Sequence, residues 1–295
     1  MPSNLKSSRT YIIRIIDNGN LVNSLPIFLR YAKYRYIVHR LLLRVKMGKK
    51  RRDEYLRNSG LSMIDFLPER PYSINGFKAI PRKGTQDFYM LYPSREEEVK
   101  PHLLMHDNET FVDVGSNVGS YSLKIAQDYK NKGVNVIAIE AHPENYKALC
   151  RNIEINGFKN VKAINKAVSD HKGIVTMYER FHIGTRVRSE FYSLCNTFLA
   201  ENNIVRPDGK ALQVESDTLD NILAMDKPSV MKMDIEGAEV MALNGATNTL
   251  KRLRKVVVEV HGDNFDEVKQ ILETHNFKLQ ISSPVGQMTH IIGSK

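Results

Sequence analysis

The sequence contains few cysteines and lacks any long apolar run. Cys150 and Cys195 are its only cysteines, too few for a disulfide framework, so we expect a reduced, cytoplasmic setting. No apolar stretch approaches the roughly 18 residues of a transmembrane helix. Arg14 interrupts the early segment IIRII, which therefore does not read as the apolar core of a signal peptide. A secreted disulfide scaffold and an integral membrane protein are thus both disfavoured.

Several signatures of chemistry are also missing. There is no Walker A phosphate loop, no G-x-S-x-G nucleophile elbow and no internal repeat. No group of His, Cys, Asp and Glu has the spacing of a metal site, so we predict no metal ion. The G-x-G-x-x-G fingerprint of dinucleotide-binding proteins is absent too, because Asn117 stands two positions after Gly115.

The positive charge is concentrated near the N-terminus. The formal net charge is +10, and residues 1–60 contain 14 Lys or Arg but only 3 Asp or Glu, whereas residues 111–295 contain 23 and 22. A helical pattern over 27–47 is followed by GKKRR at 48–52. We favour a helix that docks on the core or on a second subunit of a homodimer. The alternative is a basic amphipathic helix through which residues 26–52 contact anionic lipid or nucleic acid. We therefore divide the chain into a basic extension, 1–70, and a domain, 71–295.

The segment Phe111–Ser122, FVDVGSNVGSYS, organises the rest of the chain. Its β-forming start predicts a buried strand, Gly115 and Gly119 predict a tight turn, and a helical run follows. Glycines and a new helix N-terminus form a cradle of the nucleotide-binding type. Asp113 at the end of the strand would repel a phosphate but suit a cationic ligand. S-adenosylmethionine, with its ammonium and sulfonium groups, meets that requirement.

Strand and helix patterns alternate after this segment, which predicts a mostly parallel, doubly wound α/β sheet. Further predicted strands are Val134–Ile139, Val161–Ile164, Gly173–Glu179, Leu212–Glu215, Val230–Met233, Val256–Val260, and a closing pair, Phe277–Ile281 and Met288–Ile292. Predicted helices are Pro143–Asn156, Thr218–Met225, one or two within 238–253, and Phe265–His275. Before the central strand, the pattern predicts strands over Tyr72–Tyr92 and a helix over Ser94–Met105.

Acidic residues recur at the predicted carboxyl ends of the strands, where such sheets bind ligands. Glu140 closes the strand after the glycine turn, and an acid there can accept hydrogen bonds from a ribose diol. Asp234 and Glu236 follow another strand, where they could hold an ammonium group, orient an acceptor hydroxyl or act as a general base. His261 ends the next strand and would have a near-neutral pKa suited to a base, although a structural role is the more common one for a single histidine.

These motifs resemble the FkbM family of S-adenosylmethionine-dependent methyltransferases. The residues that carry the resemblance are FVDVGSNVGSYS, IEAHPEN, NKAVSD, MKMDIEGAE and VVVEVH, which lie in the order of the family within 110–282. The resemblance implies a class I methyltransferase fold, a Rossmann-like seven-stranded sheet with a closing antiparallel hairpin. It also implies methyl transfer to a hydroxyl, commonly on a sugar, glycan or polyketide.

The resemblance also implies roles for individual residues, with no metal among them. The expected ligands of the methionine part of S-adenosylmethionine are Asp113, Gly115, Ser116, Asn117 and Gly119. Glu140 is expected at the ribose and Ala167 near the adenine, while Asp234 and Glu236 would face the gap between donor and acceptor. Substrate choice is expected to lie in 1–70 and 180–210, outside the clear motifs.

The leading hypothesis is therefore an S-adenosylmethionine-dependent O-methyltransferase acting on a small molecule or glycan. A second hypothesis keeps the enzyme but makes RNA the substrate, bound through the basic N-terminal segment. We disfavour it because no recognised RNA-binding module is present. A third is a non-catalytic, membrane-peripheral protein with a vestigial fold, against which the intact acidic residues argue.

Overall fold

The structure is a computed structural model that describes residues 68–83, 85, 87–91, 98–179, 192–193, 211–282 and 288–295. These residues belong to the unit Pro68–Lys295. The predicted basic helix, the GKKRR run and almost all of 180–210 lie outside them. The boundary at residue 70 and the proposed roles of the N-terminal extension therefore stay predictions.

The described strands and helices alternate along most of the chain. The strands are β1 (Tyr72–Ile74), β2 (Phe77–Ala79), β3 (Thr110–Val114), β4 (Asn135–Ile139), β5 (Val161–Ile164), β6 (Ala167–Val168), β7 (Gly173–Glu179), β8 (Tyr192–Ser193), β9 (Ala211–Asp217), β10 (Pro228–Met233), β11 (Lys255–His261), β12 (Lys278–Ile281) and β13 (Met288–Ser294). The α-helices are α1 (Asp87–Met90), α2 (Ser120–Asp128), α3 (Pro143–Asn156), α4 (Leu219–Ile222), α5 (Glu239–Asn244), α6 (Thr247–Arg252) and α7 (Phe265–Thr274).

The main sheet has seven strands in the order β12-β13-β11-β10-β3-β4-β5. The five strands from β11 to β5 are parallel, whereas β13 pairs antiparallel with both β11 and β12. This order confirms the predicted fold class, a doubly wound sheet of the class I methyltransferase type that closes with an antiparallel hairpin.

Strand β3 is an internal strand of the main sheet, between β10 and β4, and it is buried on both faces. Phe111, Val112 and Val114 are fully buried, as expected for a parallel strand covered on both sides. Val112 and Val114 pack in a core that includes residues of α5, α6 and α7. Phe111 packs in a second core with Ile125 and Ala126 of α2. The helices on both faces leave the carboxyl ends of β3, β4 and β10 to form one edge.

A second, four-stranded sheet has the order β6-β9-β7-β8. Strands β7 and β9 pair antiparallel over most of their length. The sequence predicted both strands, but it did not predict that they pair with each other outside the main sheet. Hydrophobic alternation identifies a strand without identifying its partner.

Three local predictions differ from the structure. The strand-like region before the glycine turn holds a short hairpin, β1 and β2, with left-handed Asn75 and Gly76 in its turn, but it continues into helix α1. The predicted helix over Ser94–Met105 is described only as a 3₁₀ turn at Lys100–Leu103. Helix α4 begins after Thr218, whose side chain accepts a hydrogen bond from the Asn221 N–H, and ends at Ile222, so it is half as long as predicted.

None of the helices that the structure describes is both long enough and apolar enough to cross a lipid bilayer.

Candidate active site

The glycine turn after β3 joins the ends of three strands. The N–H groups of Gly115 and Ser116 donate to the Ile139 carbonyl at 2.9 and 3.0 Å, and the Ser116 hydroxyl donates to the same oxygen at 3.3 Å. Gly115 has a φ of +80°, and a Cβ there would lie 1.9 Å from the Asp234 carbonyl oxygen. Glycine is therefore required at this position by backbone conformation and by the close approach of the chain after β10.

Two further residues of the turn have a left-handed backbone. Asn117 has a φ of 50° and Gly119 a φ of 98°. An added Cβ on Gly119 would lie 2.8 Å from Cδ1 of Leu149 on α3. Gly119 is thus a packing residue at the N-terminal cap of α2. It is not among the described residues that line the two cavities discussed below.

Asp113 anchors the start of helix α2. Its Oδ2 accepts hydrogen bonds from the Ser122 N–H at 3.0 Å and from the Ser122 hydroxyl at 2.5 Å, so it supplies a cap that Gly119 cannot. The side chain is buried, and burial raises its pKa although the neighbouring Lys232 lowers it. Oδ2 is engaged at the helix, but Asp113 also lines the second of the two cavities described below. The expected direct contact between this carboxylate and a cofactor therefore stays a prediction.

Glu140 lies immediately after β4 and connects the glycine turn to the next loop. Its Oε2 accepts a hydrogen bond from the Asn117 N–H and its Oε1 accepts one from the His142 N–H, both at 2.8 Å. The residue is 6% exposed. Burial raises the pKa of Glu140 to about 7, against the lowering effect of those N–H donors.

An Arg82–Asp87 ion pair supports the loop beyond Glu140. Nη2 of Arg82 lies 2.7 Å from Oδ1 of Asp87 and donates to Oδ1 of Asn145 at 2.9 Å. Burial, and then the charge of Arg82, lower the pKa of His142 to about 4. The region before β3 therefore helps to build this side of the site, which sequence patterns had not indicated.

The loop after β10 presents Asp234 and Glu236. The Asp234 N–H donates to the Val114 carbonyl at 2.9 Å, which places the loop beside the glycine turn. Glu236 and Gly237 both have positive φ, 56° and 102°. A glutamate in that conformation costs about 1 kcal/mol, and such strain is concentrated at functional loops.

A row of charged side chains crosses one face of the main sheet near this edge. Asp113 and Lys232 are register neighbours on β3 and β10, and Glu259 and His290 are register neighbours on β11 and β13. The Lys232 ammonium lies 3.1 Å from Oδ2 of Asp234, and Nε2 of His290 lies 3.2 Å from Oε2 of Glu259. Burial raises the pKa of Glu259, but the contacts with His261 and His290 lower this pKa by a larger amount, so the carboxylate is ionised.

His261 is enclosed by carboxylates. Its Nδ1 lies 3.0 Å from Oε1 of Glu239, and its Nε2 lies 3.4 Å from both Oε2 of Glu236 and Oε1 of Glu259. Burial lowers the pKa of His261, but Glu239 and Glu259 raise it more, to about 10. The expected near-neutral pKa is therefore wrong, because the free imidazole expected of a general base is held protonated by its neighbours.

A comparison with models of protein families shows to which family the chain belongs. The family model for the methyltransferase FkbM domain matches residues 113–279, more than half of the chain. The chain belongs to the FkbM methyltransferase family. The predicted family and the predicted enzyme class, a methyltransferase, are confirmed.

Individual relatives of this FkbM chain are distant. Hexuronic acid methyltransferase AglP of Haloferax volcanii is 25% identical over 72% of this chain and 78% of the relative. Methyltransferase 1 of Beauveria bassiana is also 25% identical, over 60% of this chain and 76% of the relative. The crystal structure of an FkbM methyltransferase from Methylobacillus flagellatus is 20% identical with a TM-score of 0.44, and the match covers 65% of this chain and 45% of that one.

Two cavities of this FkbM domain meet at the glycine turn. Gly115, Asn117 and Asp234 line both of them. Residues that line the first alone include Glu140, Ala167 and Glu236. Residues that line the second alone include Asp113, Ser116 and Lys232. The structure thus brings most of the predicted site residues together. His261 contacts Glu236 on the side away from the cavities, and it is not among the described residues that line either cavity.

Three charged residues of the site were assigned no role from the sequence. Lys232 and Glu259 are internal to strands β10 and β11, and Glu239 lies in the first turn of α5. An available signal was the charge itself, because charged side chains within strands that are otherwise apolar are rarely buried unless they are paired.

Proposed function

We propose that this FkbM methyltransferase uses S-adenosylmethionine and methylates a hydroxyl group of a sugar or glycan. Membership of the family supports methyl transfer, and the relative named a hexuronic acid methyltransferase supports a carbohydrate acceptor. The observation that carries the cofactor assignment is the Glu140 carboxylate, held by two backbone N–H groups at the wall of the first cavity.

The chemistry of the first cavity fits an adenosyl group. A carboxylate has more acceptor sites than the two that the backbone uses at Glu140, so Glu140 can also accept from a ribose diol. Apolar side chains of Ile139, Ala167 and Met177 line the same cavity and suit an adenine ring. Asp234 and Glu236 provide negative charge for the cationic methionine part.

S-adenosylmethionine, when bound, supplies a methyl group on a sulfonium centre that is already reactive. The residues of the chain then have to align the acceptor and remove its hydroxyl proton. We assign proton removal to Asp234 or Glu236, because both carboxylates line the first cavity. His261 would act behind Glu236, as a residue that positions this carboxylate.

Calorimetric titration with S-adenosylmethionine tests the cofactor site. We expect Glu140→Ala to weaken binding at least tenfold, because a ribose diol would lose its acceptor. Glu144→Ala is the matched control, since that glutamate lies in the first turn of α3 with a side chain that is 62% exposed. Equal affinities of wild type and Glu140→Ala, with circular dichroism showing both folded, would remove the assignment.

Two variants of Asp113 distinguish a direct contact of this carboxylate with S-adenosylmethionine from an indirect effect through helix α2. Asp113→Asn keeps an amide oxygen that can accept from Ser122 but loses the charge, whereas Asp113→Ala loses both. If Asp113 acts by fixing the start of α2, the asparagine variant will bind S-adenosylmethionine nearly as well as wild type and the alanine variant will not. Equally severe losses would instead indicate a direct contact between the carboxylate and the cofactor.

The acceptor class can be tested with methyl-labelled S-adenosylmethionine and a cell extract. We expect label in the carbohydrate fraction, and none when Asp234 and Glu236 are replaced together by their amides, Asp234→Asn with Glu236→Gln. Label confined to RNA or protein would contradict the proposed acceptor while leaving the cofactor assignment intact. Contact of residues 26–52 with lipid, and a homodimer, stay predictions.

A further inference from the structure

We propose that Asp234, Glu259 and His261 bind a divalent metal ion beside the methyl-transfer site. Each of these residues offers one ligand atom, and the three atoms lie within 4.8 Å of one another. They come from adjacent parallel strands, since Asp234 follows β10 while Glu259 and His261 end β11. Two carboxylates and an imidazole are a ligand set for a first-row divalent cation such as Mn²⁺ or Zn²⁺.

The orientation of His261 gives a second, independent indication of a cation. The ring is 2% exposed, and its Nδ1 is held by Glu239, 3.0 Å away. Nε2 points toward the carboxylates and forms no hydrogen bond with the described residues, although oxygens of Glu236 and Glu259 lie 3.4 Å away. A carboxylate that fixes one ring nitrogen so that the other can bind metal is the usual outer-sphere arrangement of a metal-binding histidine.

Glu239 is itself held firmly in place. Its Oε1 accepts the Gly237 N–H at 2.8 Å, and its Oε2 accepts from Nδ2 of Asn264 at 2.9 Å. The carboxylate is buried. Its position is therefore set by the loop after β10 and the turn after β11, and it orients the His261 ring between them.

The other two ligands are oriented in a similar way. Lys232 contacts Oδ2 of Asp234 at 3.1 Å, and His290 contacts Oε2 of Glu259 at 3.2 Å. Each ligand residue thus has one atom held by a neighbour outside the ligand set. Supporting contacts of this kind around the ligands are usual at metal sites.

The charges of the cluster also favour a cation. Asp234, Glu236, Glu239 and Glu259 place four carboxylates around the His261 ring and the Lys232 ammonium. Buried charge of one sign is costly unless it is compensated. A divalent ion bound at Nε2 would compensate part of this negative charge.

The use of such an ion rests on the proposed function. Placed between Asp234 and His261, a cation could bind the acceptor hydroxyl and lower its pKa. The released proton would pass to the carboxylate of Glu236. This arrangement would explain why a histidine that lines neither described cavity is kept in a costly, carboxylate-rich position.

Metal binding can be measured without methyl transfer. The full chain, stripped with a chelator and without S-adenosylmethionine, is titrated with MnCl₂, and free Mn²⁺ is followed by its electron paramagnetic resonance signal. We expect one bound ion per chain, at least tenfold weaker binding in His261→Gln, and a 10- to 100-fold loss in Glu239→Gln. His171→Gln is the matched control, because His171 pairs with Asp170 through Nδ1 but is exposed.

The wild-type chain alone gives a second test if the variants fail to fold. Electron spin echo measurements of the bound Mn²⁺ should detect the imidazole nitrogen, and ¹⁵N-labelled histidine should change that signal. Absence of a bound ion at millimolar MnCl₂ and ZnCl₂, or binding without a histidine nitrogen, would overturn the proposal. S-adenosylmethionine titrations of the same metal-free protein show separately whether the proposed function holds.

Discussion

Replacing Glu140 by glutamine should change how the stability of the protein depends on pH. In the folded chain, burial raises the pKa of Glu140 to about 7 from an ordinary value of 4.5. Between these values the folded state binds more protons at this site than the unfolded state does. The contribution of Glu140 to the free energy of unfolding therefore falls as pH rises through this window.

The magnitude follows from the two pKa values. Each pKa unit corresponds to about 1.4 kcal/mol, so ionised Glu140 destabilises the fold by about 3 kcal/mol above pH 7. About 2.5 kcal/mol of this change falls between pH 5 and pH 8. Glutamine cannot ionise, but its amide NH₂ would face one of the two backbone N–H donors, at a pH-independent cost of about 1–3 kcal/mol.

Urea unfolding of both proteins without ligand, followed by circular dichroism at pH 5, 6, 7 and 8, checks this prediction. We expect Glu140→Gln to be less stable than wild type at pH 5 and to close the gap by pH 8. Glu144→Gln should show no such change, because Glu144 is exposed. A constant difference between wild type and Glu140→Gln across the four pH values would refute the reasoning.

Three further predictions concern the same unit. In thermal denaturation, Gly115→Ala should lower stability at least twice as much as Gly157→Ala. Both glycines have positive φ, but an added Cβ would clash with the Asp234 carbonyl only at Gly115, since a Cβ on Gly157 meets nothing within 4 Å. Equal effects of the two substitutions would contradict the packing argument. Arg254→Lys should cost about 1 kcal/mol at pH 7 through loss of the paired contacts with Glu109. Because Arg254 lowers the pKa of Glu109, urea unfolding should show this difference shrinking below about pH 4, and a pH-independent difference would exclude the ion pair as its cause. S-adenosylmethionine affinity should fall about tenfold from pH 8 to pH 6 if only ionised Glu140 binds ribose, and calorimetry should show a flat profile for Glu140→Gln.

The main sheet could be predicted because its signals are local. Phe111 to Val114 and the strands around them are continuous apolar runs, and Gly115 marks the turn that ends the first of them. The acidic residues after these strands were also visible, since parallel strands deliver their carboxyl ends to one edge. These features need no knowledge of distant contacts.

The remaining features depend on contacts between distant parts of the chain. Nothing local indicates that Arg82 reaches Asn145, or that Glu239 holds His261. Asp234 and His261 were predicted as catalytic residues, but their grouping with Glu259 as metal ligands was not predicted, because Asp234 and Glu259 are 25 residues apart in sequence and meet only when β10 and β11 pair. The pKa of His261 likewise depends on three carboxylates that approach it only in the folded state.

The contact between Gly115 and the Asp234 carbonyl has a consequence for how this enzyme could diversify. Only a hydrogen fits between Gly115 and the Asp234 carbonyl. The loop after β3 and the acidic loop after β10 therefore form one closely packed contact, here called the seam, and neither loop can shift without moving the other. A lineage that acquired a new acceptor by remodelling the acidic loop would disturb the proposed cofactor site as well. Innovation is therefore expected in segments remote from this seam, with the seam itself kept almost unchanged.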